Sequence, residues 1–323
     1  MPGELVVEAV RGGTVEARHR VHLAVCDTSG RLVASAGDPH HVTFLRSAAK
    51  PLQALPIIED GSADQLGLDS AAIAIACASH EGAPGHVSAV AALLAAAGVG
   101  LADLRPRGLH EPLGSGAARE LRRAGRAPGP LHHNCSGNHA LALSHARARG
   151  WTLGDYLVVD APNQRAVHAA VEALAGEAPH LATDRCGMPA YALSLAASAT
   201  AYARLAAGGA APWVAACARV CTSMRAHPWL VGGDAALDTA AMRETPVVAK
   251  RGALGVICCA NPLTGVGGAL KVESGSDAAA EVALARLVHL VAGTEAPTLT
   301  AASTRPLRDG AGAVVGGWRV NTR

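Results

Sequence analysis

Arg46-Ser47-Ala48-Ala49-Lys50-Pro51-Leu52-Gln53-Ala54-Leu55-Pro56-Ile57-Ile58 sets a serine three residues ahead of a lysine, where a strand-like N-terminal region gives way to helix. With Ser47 near the N-cap, Pro51 falls in the first turn, where a missing amide N–H does little harm. One helical turn then brings the Lys50 amine over the Ser47 hydroxyl, because residues three apart share a face. Ser-x-x-Lys at a helix start is an arrangement that pairs a serine nucleophile with a lysine base. The chain contains only three lysines, Lys50, Lys250 and Lys271. Arginine stays charged at any accessible pH, whereas a desolvated lysine can lose its proton and act as a base. A GC-rich coding bias is the competing account of the scarce lysine, and a capping serine beside a solvated lysine is the bland reading of the motif.

Strands lie to either side of this stretch. Val21 to Cys26 and Arg31 to Ser35 flank the turn Asp27-Thr28-Ser29-Gly30, a hairpin signal. Helices are expected at 51–59, 86–97 and 116–125, with the apolar run Ala71 to Ala78 read as a buried strand. The middle, about 138–230, reads as alanine-rich helix broken by loops at 126–134 and 176–190. Strands return near 246–250, 254–259 and 268–273, followed by a helix at 277–292 and a closing strand at 313–320. The expectation is one α+β domain over 1–323, strand-rich in 1–45 and 246–323 and helix-rich in 46–245, its two ends meeting in one antiparallel sheet.

Half of the 323 residues are hydrophobic, but only four Trp, three Tyr and one Phe are present, so the core must be aliphatic. The net charge of +2, with no basic run among aromatics, gives no support to nucleic-acid binding. Val87 to Ala102, an uncharged alanine-rich stretch, is too short for a membrane span. Met1-Pro2-Gly3-Glu4 lacks the charged and apolar regions of a signal peptide, and a cytoplasmic protein is expected. The eight cysteines then read as thiols, six of them as small core fillers. Cys135 and Cys186 stand apart, each in a polar, glycine-containing segment.

Four segments could carry chemistry: Ser47-x-x-Lys50, Cys77-Ala78-Ser79-His80-Glu81, the run His132 to His139, and Val248-Ala249-Lys250-Arg251-Gly252. Two patterns overlay them. Penicillin-interacting acyl-serine enzymes carry Ser-x-x-Lys, Ser-x-Asn and Lys-(Thr/Ser)-Gly in that order, and Ser47/Lys50, Ser136-Gly137-Asn138 and Lys250-Arg251-Gly252 follow it, with an arginine out of place.

The closer match spans nearly the whole chain. Arg20-Val21-His22, Arg46 to Pro51, Cys77-Ala78-Ser79-His80, Asn134-Cys135-Ser136-Gly137, Thr183-Asp184-x-Cys186-x-x-Pro189, Ala226-His227-Pro228 and Lys250-x-Gly252-Ala253 together resemble the L-asparaginase II family. The resemblance implies a serine β-lactamase/penicillin-binding-protein-like fold, a homodimer, and hydrolysis of the side-chain amide of L-asparagine without an organic cofactor. It places two Ser–Lys tandems on Ser47 with Lys50 and on Ser79 with Lys250. It also implies zinc on Cys135 and Cys186 with a lysine as third ligand, but Asn138 stands at that position. An amide oxygen is a poor zinc donor beside thiolate, which leaves a weaker site, one using His139, or none. On this reading Ser47 attacks the amide, neutral Lys50 is its base, Lys250 is the cation lowering the Lys50 pKa, and Ser79 relays protons. Arg46, His80, Asp184 and Asn138 are expected around the substrate, Asp184 either on the α-ammonium or holding a neighbouring group. A penicillin-interacting hydrolase and a binder without turnover are the rival readings.

Overall fold

Asp27 closes the hairpin between Cys26 and Leu32 as its sequence suggests. Its side chain accepts the N–H groups of Ser29 and Arg31, at 3.0 and 3.1 Å, and Gly30 takes φ +87° to complete the turn. The strands it joins belong to a large antiparallel sheet in the computed structural model, which describes residues 3–209 and 211–322. Met1 and Pro2, part of the stretch tested for a signal peptide, lie outside them.

The first part of the chain supplies β1 (Leu5–Arg11), β2 (Thr14–Cys26), β3 (Leu32–Ala36) and β4 (Val42–Phe44). The middle supplies β5 (His180–Thr183) and β6 (Pro189–Ser194). The last part supplies β7 (Val248–Gly252), β8 (Val256–Asn261), β9 (Val266–Val272), β10 (Pro306–Arg308) and β11 (Val314–Thr322). The large sheet runs β10-β11-β1-β2-β9-β8-β7, with β3 pairing the far half of β2. The α+β layout expected, an antiparallel sheet from both chain ends around a helical middle, is the one observed.

Two glycines in β9 show how the sheet is covered. Successive residues of a strand face opposite sides. A Cβ at Gly267 would lie 2.2 Å from the Ala199 carbonyl oxygen, so the helix Leu195–Ala206 packs backbone-close on that face. A Cβ at Gly268 would meet Leu287 and Val291, on the helix Asp277–Ala292, which therefore covers the other face. Aliphatic and alanine side chains fill both interfaces, and all eight cysteines are buried free thiols.

Two expectations are corrected. Ala71 to Ala78 is not a strand: Ser70–Ala76 is a helix, capped by Asp69, whose carboxylate accepts the Ala72 N–H at 2.8 Å. The loop expected at 176–190 and the helix expected after it instead contain β5 and β6, which with β4 form a second, three-stranded sheet. Leu45, at the end of the β4 segment, is tied to this sheet through its N–H on the Tyr191 carbonyl, which fixes the entry to the Ser47 turn.

Candidate active site

The turn after β4 is a short 3₁₀ helix, Arg46–Ala49, followed by helical segments Lys50–Gln53 and Leu55–Glu59. Its cap is Leu45, without a side-chain cap bond, so Ser47 does not serve as the expected N-cap. Arg46 sits at φ +52°, a region costly for a residue with a Cβ, and such strain concentrates at functional turns. A two-pronged ion pair holds it there: Nε and Nη2 each donate to Asp184 at 2.9 Å. Asp184 thus fastens Arg46. Ser47 is left partly exposed on this clamped turn.

Lys50 is buried at 3% exposure, and its amine makes its hydrogen bonds to groups other than Ser47. The side chain crosses to the segment following the helix Ser70–Ala76, donating to the Ala78 carbonyl and lying 3.3 Å from Ser79 Oγ. Ser79 is fixed by its own N–H on the Val231 carbonyl at 2.9 Å, and His80 by its N–H on the Asn134 carbonyl. Lys250, wholly buried on β7, reaches the same hydroxyl: its Nζ lies 3.0 Å from Ser79 Oγ and donates to the Arg251 carbonyl at 3.0 Å. Both amines therefore converge on Ser79, while Ser47 lies three residues before Lys50 on the partly exposed turn. β7 can pack on the Ser47 turn because Gly252 has no side chain; a Cβ there would lie 2.3 Å from the Leu45 carbonyl oxygen.

Burial pushes the Lys250 pKa from 10.5 down to about 7, with Lys50 adding to the fall and Asp238 opposing it. Asp238 is a residue the sequence did not mark. It lies on the helix Leu237–Glu244, fully buried, with Oδ2 3.8 Å from Lys250 Nζ. Burial raises the Asp238 carboxyl, but Lys250, Arg251 and backbone N–H donors outweigh that, so it is held below the ordinary carboxylate range.

The remaining expected residues surround this core. His80 accepts the Gly82 N–H on Nδ1 at 3.1 Å, so its Nε2–H donates to Ser136 Oγ at 2.9 Å. Ser136 passes its own proton to the Leu131 carbonyl. Both ring nitrogens of His80 are thus engaged by the protein, and burial keeps the ring neutral by lowering its pKa well below the ordinary value. Ser136, the serine of the middle motif of the penicillin-interacting pattern, is likewise committed and fully buried. Asn138 is buried and lines a cavity with Gln53, His145, Asn163 and Gln164.

The Cys135 and Cys186 thiols act on each other: Cys186 holds Cys135 well below the ordinary thiol value, and Cys135 together with burial pushes Cys186 up. The His133 ring accepts the Cys135 N–H on Nδ1 at 3.0 Å. His139 places Nδ1 2.9 Å from the Tyr156 hydroxyl, and its buried Nε2 has no partner. Burial lowers the His139 pKa to about 3. Among the described residues, no three His, Cys, Asp or Glu side chains gather closely enough to hold a metal ion. The two thiols are half of a zinc donor set, and an asparagine in place of a lysine does not complete it.

Among the described residues no helix is long and apolar enough to cross a membrane. Comparison with solved structures gives loose likenesses. Mglu crystallised in 4.3 M NaCl has TM-score 0.46 and 15% identity over 84% of this chain and 60% of that one. This chain thus spans less than two thirds of the Mglu length. A Bacillus glutaminase gives TM-score 0.42 and 12% identity over 80% of this chain and 85% of that one. A β-lactamase from Mycobacterium bovis gives 0.32 and 14%, covering 83% of this chain and 95% of that one. No curated protein matches. The model of one family, L-asparaginase II, matches residues 7–320, carrying all four Ser and Lys side chains of the cluster. The chain belongs to the L-asparaginase II family.

Proposed function

We propose that this protein is an amidohydrolase that converts L-asparagine to aspartate and ammonia through an acyl-serine intermediate. The observation carrying this reading is the single hydroxyl, Ser79 Oγ, held 3.3 Å from one buried lysine amine and 3.0 Å from another. With Lys250 near its pKa of about 7, a proton can pass from Lys50 to Ser79 while Ser79 gives its own to Lys250. That transfer leaves Lys50 neutral, and the new Lys250 ammonium faces Asp238. Neutral Lys50 then takes the Ser47 proton as Ser47 Oγ attacks the carboxamide carbon. The neighbouring backbone N–H of Ala48 is already bonded to the Leu45 carbonyl, so the Ser47 N–H is the available oxyanion donor in this turn. Collapse of the tetrahedral adduct returns a proton from Lys50 to departing ammonia and leaves a β-aspartyl ester on Ser47. Water attacks that ester with the same base, releasing aspartate. No step passes through a metal.

Ser47 is the nucleophile in this reading because it is the partly exposed serine of the set, while Ser79 is 4% exposed and engaged by both amines. In this reading Ser47 and the Lys50 amine come into hydrogen-bond contact in the substrate complex, since catalytic hydrogen bonds commonly tighten only there. Asparagine and glutamine differ by one methylene, worth about 1–3 kcal/mol in a pocket, so both amides belong in the assay. Steady-state ammonia release should be abolished in Ser47→Ala while the thermal transition is kept. Full turnover in that variant would end the proposal.

A further inference from the structure

Lys250 sits among cations. Lys50 shares its serine, and Arg251 follows it in the chain. Cys135 adds a small opposing influence that favours the protonated form of Lys250. Among the described residues, Asp238 is the one carboxylate within ion-pair distance of the Lys250 amine, and neither side chain has any exposure. Asp238 is itself rigidly held. Oδ2 accepts the Arg251 N–H at 3.1 Å, Oδ1 accepts the Thr239 N–H at 3.2 Å, and Thr239 Oγ1 donates to the Pro228 carbonyl. Gly232 leaves room for this arrangement, because a Cβ there would lie 2.7 Å from Thr239 Oγ1 and 3.0 Å from Asp238 Oδ1. A buried carboxylate is costly unless it is paired and hydrogen-bonded. This one satisfies both conditions by facing a lysine that the proposed chemistry must charge and discharge.

We propose that Asp238 is a positioning residue for the Ser79–Lys250 pair, the buried anion that steers the Lys250 amine onto Ser79 Oγ and stabilises its protonated form. It touches no substrate; it acts through Lys250. The inference rests on the amidohydrolase reading for its effect on rate but not for its effect on Lys250.

The test replaces the carboxylate by its isosteric amide. In Asp238→Asn the Arg251 N–H keeps an acceptor, while Lys250 is left with burial and with Lys50 and Arg251 as neighbours. The Lys250 titration should then move to lower pH by about one unit or more. With three lysines in the chain, its signal in isotope-labelled protein is assignable by comparison with Lys250→Arg. The acidic limb of kcat/KM for L-asparagine should move in the same direction, and kcat should fall about 10- to 100-fold. A merely structural role would lower rate at every pH and leave the Lys250 titration in place, which would overturn the proposal. Should the wild type hydrolyse no amide, the lysine titration still decides the question. Asp238→Glu guards against misfolding of the amide variant. It keeps the anion, so Lys250 should titrate close to wild type, while the displaced carboxylate lowers kcat; an unchanged kcat there would refute positioning.

Discussion

Lys250 carries a stability signature as well as a chemical one. Its pKa is about 7 in the folded protein against 10.5 ordinarily, so between those values the unfolded chain binds more protons than the folded one. Stability from this group therefore rises with pH across that window, and its burial penalty is fully present below about pH 7. The slope is at most about 1.4 kcal/mol per pH unit. Denaturant unfolding of wild type and Lys250→Met at about pH 7 and about pH 9 should show the wild type gaining up to about 3 kcal/mol on the variant. A constant difference would mean that Lys250 keeps its proton throughout. The sequence made this residue conspicuous because so few lysines compete with it, and Ser79 because it ends an apolar run. Asp238 gave no such signal. A lone aspartate in an alanine-rich helix reads as solvated surface, and only the packing of that helix on β7 turns it inward. The direction of the Lys50 side chain was equally hidden, since helical spacing says which residues share a face but not which neighbouring segment offers a better acceptor.

At the scale of elements, the site depends on two helices meeting without a side chain between them. A Cβ on Gly137, in the first turn of the helix Ser136–Ala148, would lie 2.0 Å from the Ile75 carbonyl oxygen in the helix Ser70–Ala76. The first helix begins next to Cys135, and the second ends just before Ser79. In an isolated helix Gly→Ala stabilises by about 1 kcal/mol, so the sign here is diagnostic. Gly137→Ala should instead destabilise by about 1–3 kcal/mol, as overpacking does, and reduce turnover by moving Ser79 from the lysines. Calorimetry with an ammonia assay checks both effects, and a raised melting temperature with normal turnover would contradict the argument. Periodicity could not distinguish Ala71 to Ala78 as helix from buried strand, because a short run apolar on every side fits both. Asp69 as cap was the overlooked clue. The small sheet of β4, β5 and β6 escaped notice because β5 is four exposed residues long and β6 is buried throughout, so neither alternates cleanly.

For the whole molecule, the union of the two chain ends was legible because β2, β9 and β11 carry apolar runs bounded by glycine turns. Which strand neighbours which was not, since a closing strand can join either edge. The structure puts β11 beside β1 in full register from Leu5 opposite Thr322 to Arg11 opposite Gly316, and β10 beyond it. The carboxylate of Glu8 on β1 accepts from Arg319 Nε at 2.8 Å and Asn321 Nδ2 at 2.7 Å across this pairing, while Arg18 holds it from β2. Removing residues 306–322 would strip β1 of β11, one of its two partners, along its whole length and uncover a row of unpaired N–H and C=O groups. It would also take away two of the groups that satisfy Glu8 and bare part of the helix Asp277–Ala292, which packs on β11. Exposed strand edges template association with other chains. The Ser79–Lys250 cluster lies at the opposite side of the sheet, on β7, so the truncated chain should retain the site's local geometry wherever it stays folded. The expected result is therefore a protein that elutes as soluble aggregate on size-exclusion chromatography, with the unaggregated remainder keeping near-normal specific turnover of L-asparagine. A monodisperse species of the wild-type size would show that β1 tolerates being an edge. An unaggregated protein that is folded but inactive would show that the sheet transmits strain from one margin to the other.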